Sequence, residues 1–291
     1  MSKTHYLPEH PAILGAIGTG LFFFGWEVLN RSGWVNPVML PGPMTIIQTA
    51  WEMVGNGELQ DHLKASLWRA LAGFFIGAIL AILLGIAMAR LPRLHGLLNP
   101  LVQMFRAVPA LAFVPLAIFW FGIGEVSKIF LISWGVFFPV WVNTYLGVRD
   151  TNPLLGRAAA SLGANGWRML LYVVLPGALP FILAGLRVSL SIAMVLLVAS
   201  ELAGAMFGVG YLIQMSQQVF RVDQMFVGLI TLGCMGFFAD YLFNHIVARL
   251  LPWYGAESGK RPRRQGPDAD NPARVQQRGW QVLGRLQLKN R

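Results

Sequence analysis

Few residues in this chain could do chemistry, and most of those lie inside apolar runs. Arg187, Ser189 and Glu201 share one such run, Asp240 lies in another, and Glu27 sits near the end of a third. A charged side chain inside a membrane-length segment is costly, so each marks a functional position by default. Arg187 admits two readings. In one it is a positive group near the midplane that an anionic cargo meets, with Ser189, Glu201 and Asp240 as further positions of a translocation pathway. In the other it closes a structural ion pair with Asp240, while charges nearer the ends of the runs snorkel to the interface.

Familiar catalytic and metal patterns are missing. The chain has no GxxxxGK[ST] phosphate loop, no HExxH and no GxSxG elbow. His5, His10, His62, His95 and His245 are dispersed, and no two have metal-ligand spacing on one helix. Ser189 and Ser191 have no intramembrane histidine placed to activate them. The single cysteine, Cys234, leaves no disulfide framework or Cys-rich metal site within one chain. The sequence therefore predicts a protein that is not an enzyme, with no cofactor and no metal bound by this chain.

The elements that position these residues are membrane spans. Of 291 residues 55% are hydrophobic and only 12% charged, with a mean hydropathy of +0.56. Soluble domains carry about 25% charged residues, so the lipid bilayer is the expected surroundings. A spanning helix needs about 20 apolar residues. Six segments qualify, at about 11–29, 66–89, 99–121, 125–147, 177–202 and 224–250, the third interrupted by Pro109 and Pro115. The start, MSKTHYLPEHP, lacks the pattern of a cleaved signal, so the first segment reads as an uncleaved span.

Lys and Arg set the orientation. With the N-terminus in the cytoplasm, seventeen fall inside and five outside (Arg31, Lys64, Arg69, Lys128 and Arg221), with Arg187 within a span. Both termini are thus expected in the cytoplasm. Outside, LPGP at 40–43 precedes a weakly amphipathic helix reaching about Glu58, and GAMFGVGY at 204–211 precedes a short helix at about 210–219. Gly73, Gly77, Ala81 and Gly85 form a small-residue ridge along span 2, which lets a neighbouring helix come close. The expected organisation is an N-terminal segment at 1–60 with span 1 and an outer loop, a core at 61–254 with spans 2–6, and a basic cytoplasmic tail at 255–291. The tail holds nine Lys/Arg and three Asp/Glu. It is polar and aperiodic and reads as disordered. Its aromatic content is Trp280 alone, so no nucleic-acid partner is predicted.

Between spans 4 and 5 lies RAAASLGANGWRMLLYVVLPGALP, residues 157–180, which is too polar to cross a membrane. Pro153 can start a short helix with Ala158, Ala159 and Leu162 on one face. Gly163 breaks it, in a backbone conformation that a β-branched residue resists. A second helix follows at about 165–173, with Trp167, Leu170, Leu171 and Val174 on its apolar side. Pro176 is expected to end it before 177–202 re-enters the membrane. The outcome is a helix–turn–helix bracket on the cytoplasmic face, suited to docking a partner.

This bracket resembles the cytoplasmic signature of ABC importer permeases: Glu-Ala-Ala, three residues, Gly, nine residues, Ile-x-Leu-Pro. Ala158 and Ala159 match the alanines, Gly163 the glycine, and Val173, Val174, Leu175 and Pro176 the end. Arg157 stands where Glu is usual, and Val173 replaces Ile. The stretches at 113–132, 137–150 and 248–255 are similar to the sulfonate/taurine/nitrate branch of that family, a likeness covering roughly 40–254. The resemblance implies an all-α, six-span permease of the bacterial inner membrane, working as a homodimer. It further implies cytoplasmic ATP-binding subunits that use the ATP, a periplasmic substrate-binding protein, and import of a small anion such as taurine, an alkanesulfonate or nitrate. Arg157, Ala158, Ala159, Leu162, Gly163, Trp167, Leu175 and Pro176 would dock the ATPase. The competing expectation is an ion-coupled secondary transporter acting alone, for which the chain shows no internal repeat.

Overall fold

The computed structural model of the protein describes residues 11–250, which form helices and connecting turns with no strand among them. The chain divides into two compact units, 1–244 and 245–291, and the second is described only over 245–250. The expected tail at 255–291 lies outside the described residues. Among the described residues four helices are long and apolar enough to cross a membrane, or five if one bent pair counts as a single span. The expected first span coincides with a 21-residue helix, α1 (Pro11–Arg31). Glu27 pairs with Arg31 at 2.7 Å and accepts the N–H of Met44 at 3.3 Å. It thereby ties the end of α1 to α2 (Pro43–Gly55), which the LPGP turn starts with proline in the first turn.

The second span is longer than its apolar run. The helix α3 (Glu58–Arg90) starts eight residues before the expected boundary, and so takes in Lys64. Asn56 accepts the N–H of Glu58 at 3.0 Å, and Glu58 and Asp61 place negative charge against the positive end of the helix. The third expected span is a broken one. Helix α4 (Pro92–Ala107) and the pair formed by a 3₁₀ turn (Ala110–Phe113) with α5 (Val114–Phe121) meet at 90°. Pro109 explains the break, because it has no N–H to donate and it holds Val108 extended (φ −84°, ψ 124°). Pro100 lies inside α4, and Pro115 falls in the tolerant first turn of α5.

Helix α6 (Glu125–Arg149) leads into α7 (Pro153–Ser161) and α8 (Gly166–Met169). A π-helical turn (Leu170–Val174) then joins α8 to α9 (Leu175–Leu202). Pro176 therefore does not end the second bracket helix, contrary to expectation: Gly166–Leu202 is one continuous helical run. The wider π turn just ahead of Pro176 makes room for its ring and absorbs its missing donor. The chain continues through α10 (Val209–Gln218), close to the expected 210–219, to α11 (Val222–Leu250).

The core is the contact of α3, α6 and α9. Ala81, Ile132, Val136, Val140 and Leu197 are fully excluded from solvent there. The small-residue ridge of α3 faces α6, and at Gly77 the helices are so close that an added Cβ would strike the carbonyl oxygen of Ser133. Helix α9 packs on α6 in the same way, with Leu196 filling the space above Gly135 and Ser189 donating to the Val136 carbonyl at 3.2 Å. By contrast only 11% of the most apolar window of α11 is buried, against 33–39% for the other spans, so α11 keeps a large uncovered apolar face.

Gly77→Ala should weaken this core, because backbone cannot move aside as a flexible side chain can; overpacking of this kind costs roughly 1–3 kcal/mol. Gly96→Ala in α4, where an added Cβ meets nothing within 4 Å, should be neutral or slightly stabilising. Thermal unfolding of the two variants in detergent checks this, and equal midpoints would contradict the contact.

Candidate functional sites: the 153–176 bracket and two charged clusters

The bracket is built from local signals. Asn152 caps α7 by accepting the N–H of Leu154 at 2.9 Å, and Pro153 holds the first helical position. At the other end Gly163 adopts φ +82°, the N–H of Ala164 bonds the Ala159 carbonyl at 2.9 Å, and the N–H of Gly163 bonds that of Ala160 at 3.0 Å. These two bonds close a Schellman turn, which needs the left-handed residue that glycine supplies without strain. The expected break at Gly163 is thus a specific C-terminal cap, and the interval between Ala159 and Gly163 is the span of that cap.

The base of the bracket is anchored and its outer surface is bare. Val174 is buried with Val148, Ala178 and Ile182, and Met169 and Leu170 pack against that cluster. Helix α7 buries none of its residues. Leu162 is 88% exposed, Trp167 69% and Tyr172 78%. Arg157, Ala158, Gly163 and Pro176 are exposed as well, and Ala159 and Leu175 are half-buried. Leu162, Trp167 and Tyr172 thus leave apolar surface uncovered on this segment.

The opposite end of the bundle holds a cluster that residue-type reasoning missed. Arg69 of α3 is 3% exposed. It grips Glu125 of α6 with two bonds, Nε to Oε2 at 2.5 Å and Nη2 to Oε1 at 2.7 Å. Its Nη1 donates to Oε1 of Glu201 at 2.8 Å and to the Phe207 carbonyl at 2.6 Å. Ser66 donates to Oε1 of Glu201 at 2.7 Å and accepts the N–H of Val209 at 2.8 Å, while the N–H of Gly210 reaches Oε2 of Glu201 at 2.8 Å. His62 accepts the N–H of Gly208 at 3.0 Å through Nδ1. The ends of α3, α6 and α9 and the start of α10 are thus bound together, with the formal charges of Arg69 and Lys128 balancing those of Glu125 and Glu201. The signal was present in the sequence: Arg69 lies four residues before Gly73 and extends the small-residue ridge by one turn.

The four expected pathway residues separate into two groups. Ser189 and Glu201 both have no solvent exposure and face neighbouring helices, so neither borders an open channel in this chain. Arg187 and Asp240 do meet, Nε to Oδ1 at 3.3 Å, with side chains 59% and 50% exposed. Asn244 donates to Oδ2 of Asp240 at 2.8 Å.

Residues 73–252 match the family described as binding-protein-dependent transport system inner membrane component. The chain belongs to this family. It is a transport permease and not an enzyme, and its place is the inner membrane, which it crosses several times. The permease is 40% identical over 249 residues to the aliphatic sulfonates transport permease protein SsuC of Bacillus subtilis, covering 86% of this chain and 87% of that protein. It is 37% identical over 235 residues to the taurine transport system permease protein TauC of Escherichia coli, covering 79% and 86%. Its fold is similar to a solved chain of the inward-facing MetNI methionine ABC transporter, with a TM-score of 0.55 at 17% identity over 66% of this chain and 94% of that one.

Arg69→Ala should be the most disruptive substitution in the charged cluster. It strands Glu201, which has no exposure, and breaking a buried pair costs about 3–5 kcal/mol. Glu125→Gln should cost less, since that side chain is 52% exposed. Fluorescence-detected gel filtration after a heat series ranks them, and an Arg69→Ala variant as heat-resistant as the parent would overturn the role given to the cluster.

Proposed function

We propose that this permease is the membrane-spanning subunit of an ATP-driven importer for a small anion of the sulfonate class, such as taurine or an alkanesulfonate. The observation that carries the proposal is the bracket at 153–176: a capped, anchored turn that presents Leu162, Trp167 and Tyr172 to the surroundings between two spans of the close-packed core. Family membership supports the class, and the likeness to sulfonate and taurine permeases supports the cargo. In this reading the bracket faces the cytoplasm and docks an ATP-binding subunit through Arg157, Ala158, Ala159, Leu162, Gly163, Trp167, Leu175 and Pro176. A periplasmic binding protein delivers the cargo to the Arg69 end. Helix α1 completes a six-span topology with both termini inside, in agreement with the Lys/Arg bias. A second copy of the chain covers the open face of α11. Arg157 in place of Glu gives the docking surface a positive charge, so its partner on the ATPase is expected to be acidic or neutral.

An ion-coupled transporter acting alone would need uncommitted charged ligands within the bundle. Among the described residues the buried charges Arg69 and Glu201 are consumed by each other and by backbone groups, and Lys128 donates to the Gly124 carbonyl and pairs with Glu125.

Gly163→Val and Ala159→Glu test the docking. The first puts a β-branched residue at φ +82°, a left-handed conformation costing roughly 1–2 kcal/mol. The second puts a charge into the docking surface, costing roughly a few kcal/mol when desolvated. Both variants should insert normally, because the spans are untouched. Both should lose co-purification with the ATP-binding subunit and lose ATP-driven uptake of taurine or ethanesulfonate in proteoliposomes containing the binding protein. Normal retention and normal uptake in both would contradict the proposal.

A further inference from the structure

Arg69 and Arg187 are held in opposite ways. Arg69 uses all three guanidinium nitrogens in bonds of 2.5 to 2.8 Å and is enclosed. Arg187 makes its bond to Asp240 through Nε alone, at 3.3 Å, and the pair is more than half open on the Arg187 side. Arg187 lies twelve residues from the start of α9 and fifteen from its end, hence about 20 Å from each at the helical rise. A half-open guanidinium and carboxylate at that depth cannot face hydrocarbon without a large penalty. Their open side must border water or protein.

Next to the pair is a cavity of about 280 Å³ between α9 and α11, lined by Leu190, Ser191, Met194, Gly236, Ala239 and Asp240. Its size is close to the ~300 Å³ at which small-ligand sites begin. Asp240 forms part of the wall, and Arg187, one turn before Leu190 and Ser191 on α9, stands at its rim through its bond to Asp240. Three requirements of an anion contact meet here: a planar donor whose terminal nitrogens are outside its ion pair, a hydroxyl at Ser191, and an apolar wall for a short alkyl chain at Leu190 and Met194.

Resting on the importer reading above, we propose that the Arg187–Asp240 pair and this cavity form a passage site at which the permease itself contacts the anionic headgroup of its cargo. Arg187 supplies the donors for a sulfonate-class group. Asp240, held by Asn244, neutralises Arg187 when the site is empty and competes with the anion when it is full. Weak binding of this kind is what transit requires, since a site that holds its ion too tightly does not release it.

The test is reaction of a cysteine in the cavity wall with charged thiol reagents. Ala239→Cys is placed in a Cys234→Ser background, and the full chain is labelled in membrane vesicles without ATP. One thiosulfonate reagent carries a sulfonate and the other a trimethylammonium group. With each rate divided by that reagent's rate with a free thiol in solution, the sulfonate reagent should react faster, by about tenfold given one cation nearby in a partly wet site. Arg187→Gln should abolish that preference, Arg187→Lys should keep much of it, and Asp240→Asn, which leaves Arg187 in place, should increase it. Equal rates for the two reagents, a preference indifferent to Arg187→Gln, or no reaction with either would overturn the site and leave a purely structural pair. If Arg187→Gln fails to fold, Asp240→Asn decides: an unchanged preference overturns the site. The labelling needs no ATPase and no uptake, so its failure leaves the docking proposal intact, and loss of the docking proposal leaves the labelling result standing.

Discussion

The contact between α3 and α6 is the constraint on which the rest of the molecule depends. At Gly77 the two backbones approach so closely that one methyl group would strike the Ser133 carbonyl. Such an approach gives little freedom to either helix, because close-packed interfaces shift between discrete arrangements and do not deform smoothly. Helix α9 joins the same core by placing Leu196 over Gly135 and by the bond from Ser189 to α6. The bracket is suspended between the ends of α6 and α9 and is rooted by Val174 beside Val148.

The charged cluster at the other end serves the same architecture by different means. Three spans converge there, and Arg69 bridges them through fixed donor geometry. A lysine could not do this, since it is a point charge without the planar fork. The cluster also fixes the loop ahead of α10 through backbone N–H groups of Gly208, Val209 and Gly210. The molecule thus has a fastened end around Arg69 and an exposed apolar end at the bracket, and between them one loosely held ion pair beside a cavity.

Much of this was legible in the sequence because it rests on local chemistry. Apolar length located α3, α6, α9 and α11, and the PxxxxAAxxxG stretch at 153–163 located α7 and its glycine turn. Small residues four apart in span 2 marked the face that meets α6. The errors came from non-local effects. The start of α3 lay beyond its apolar run because a polar cap and acidic first turn extend the helix. Pro176 looked like a terminator because the π turn that accommodates it has no sequence signature. The burial of Glu201 and Ser189 against neighbouring helices cannot be read from residue type, whereas the charges of Arg187 and Asp240 do suggest the pair they form.

Contact at Leu162 is the sharpest probe of coupling through the bracket. A photo-crosslinking amino acid replacing Leu162, which is 88% exposed, is irradiated in membranes of cells expressing the whole transport system. The account predicts a covalent adduct with the ATP-binding subunit, and none from the same group placed at Phe75, a 56% exposed side chain within the apolar length of α3. Adducts of Leu162 with lipid alone, or adducts to the ATP-binding subunit from Phe75 and not from Leu162, would contradict it.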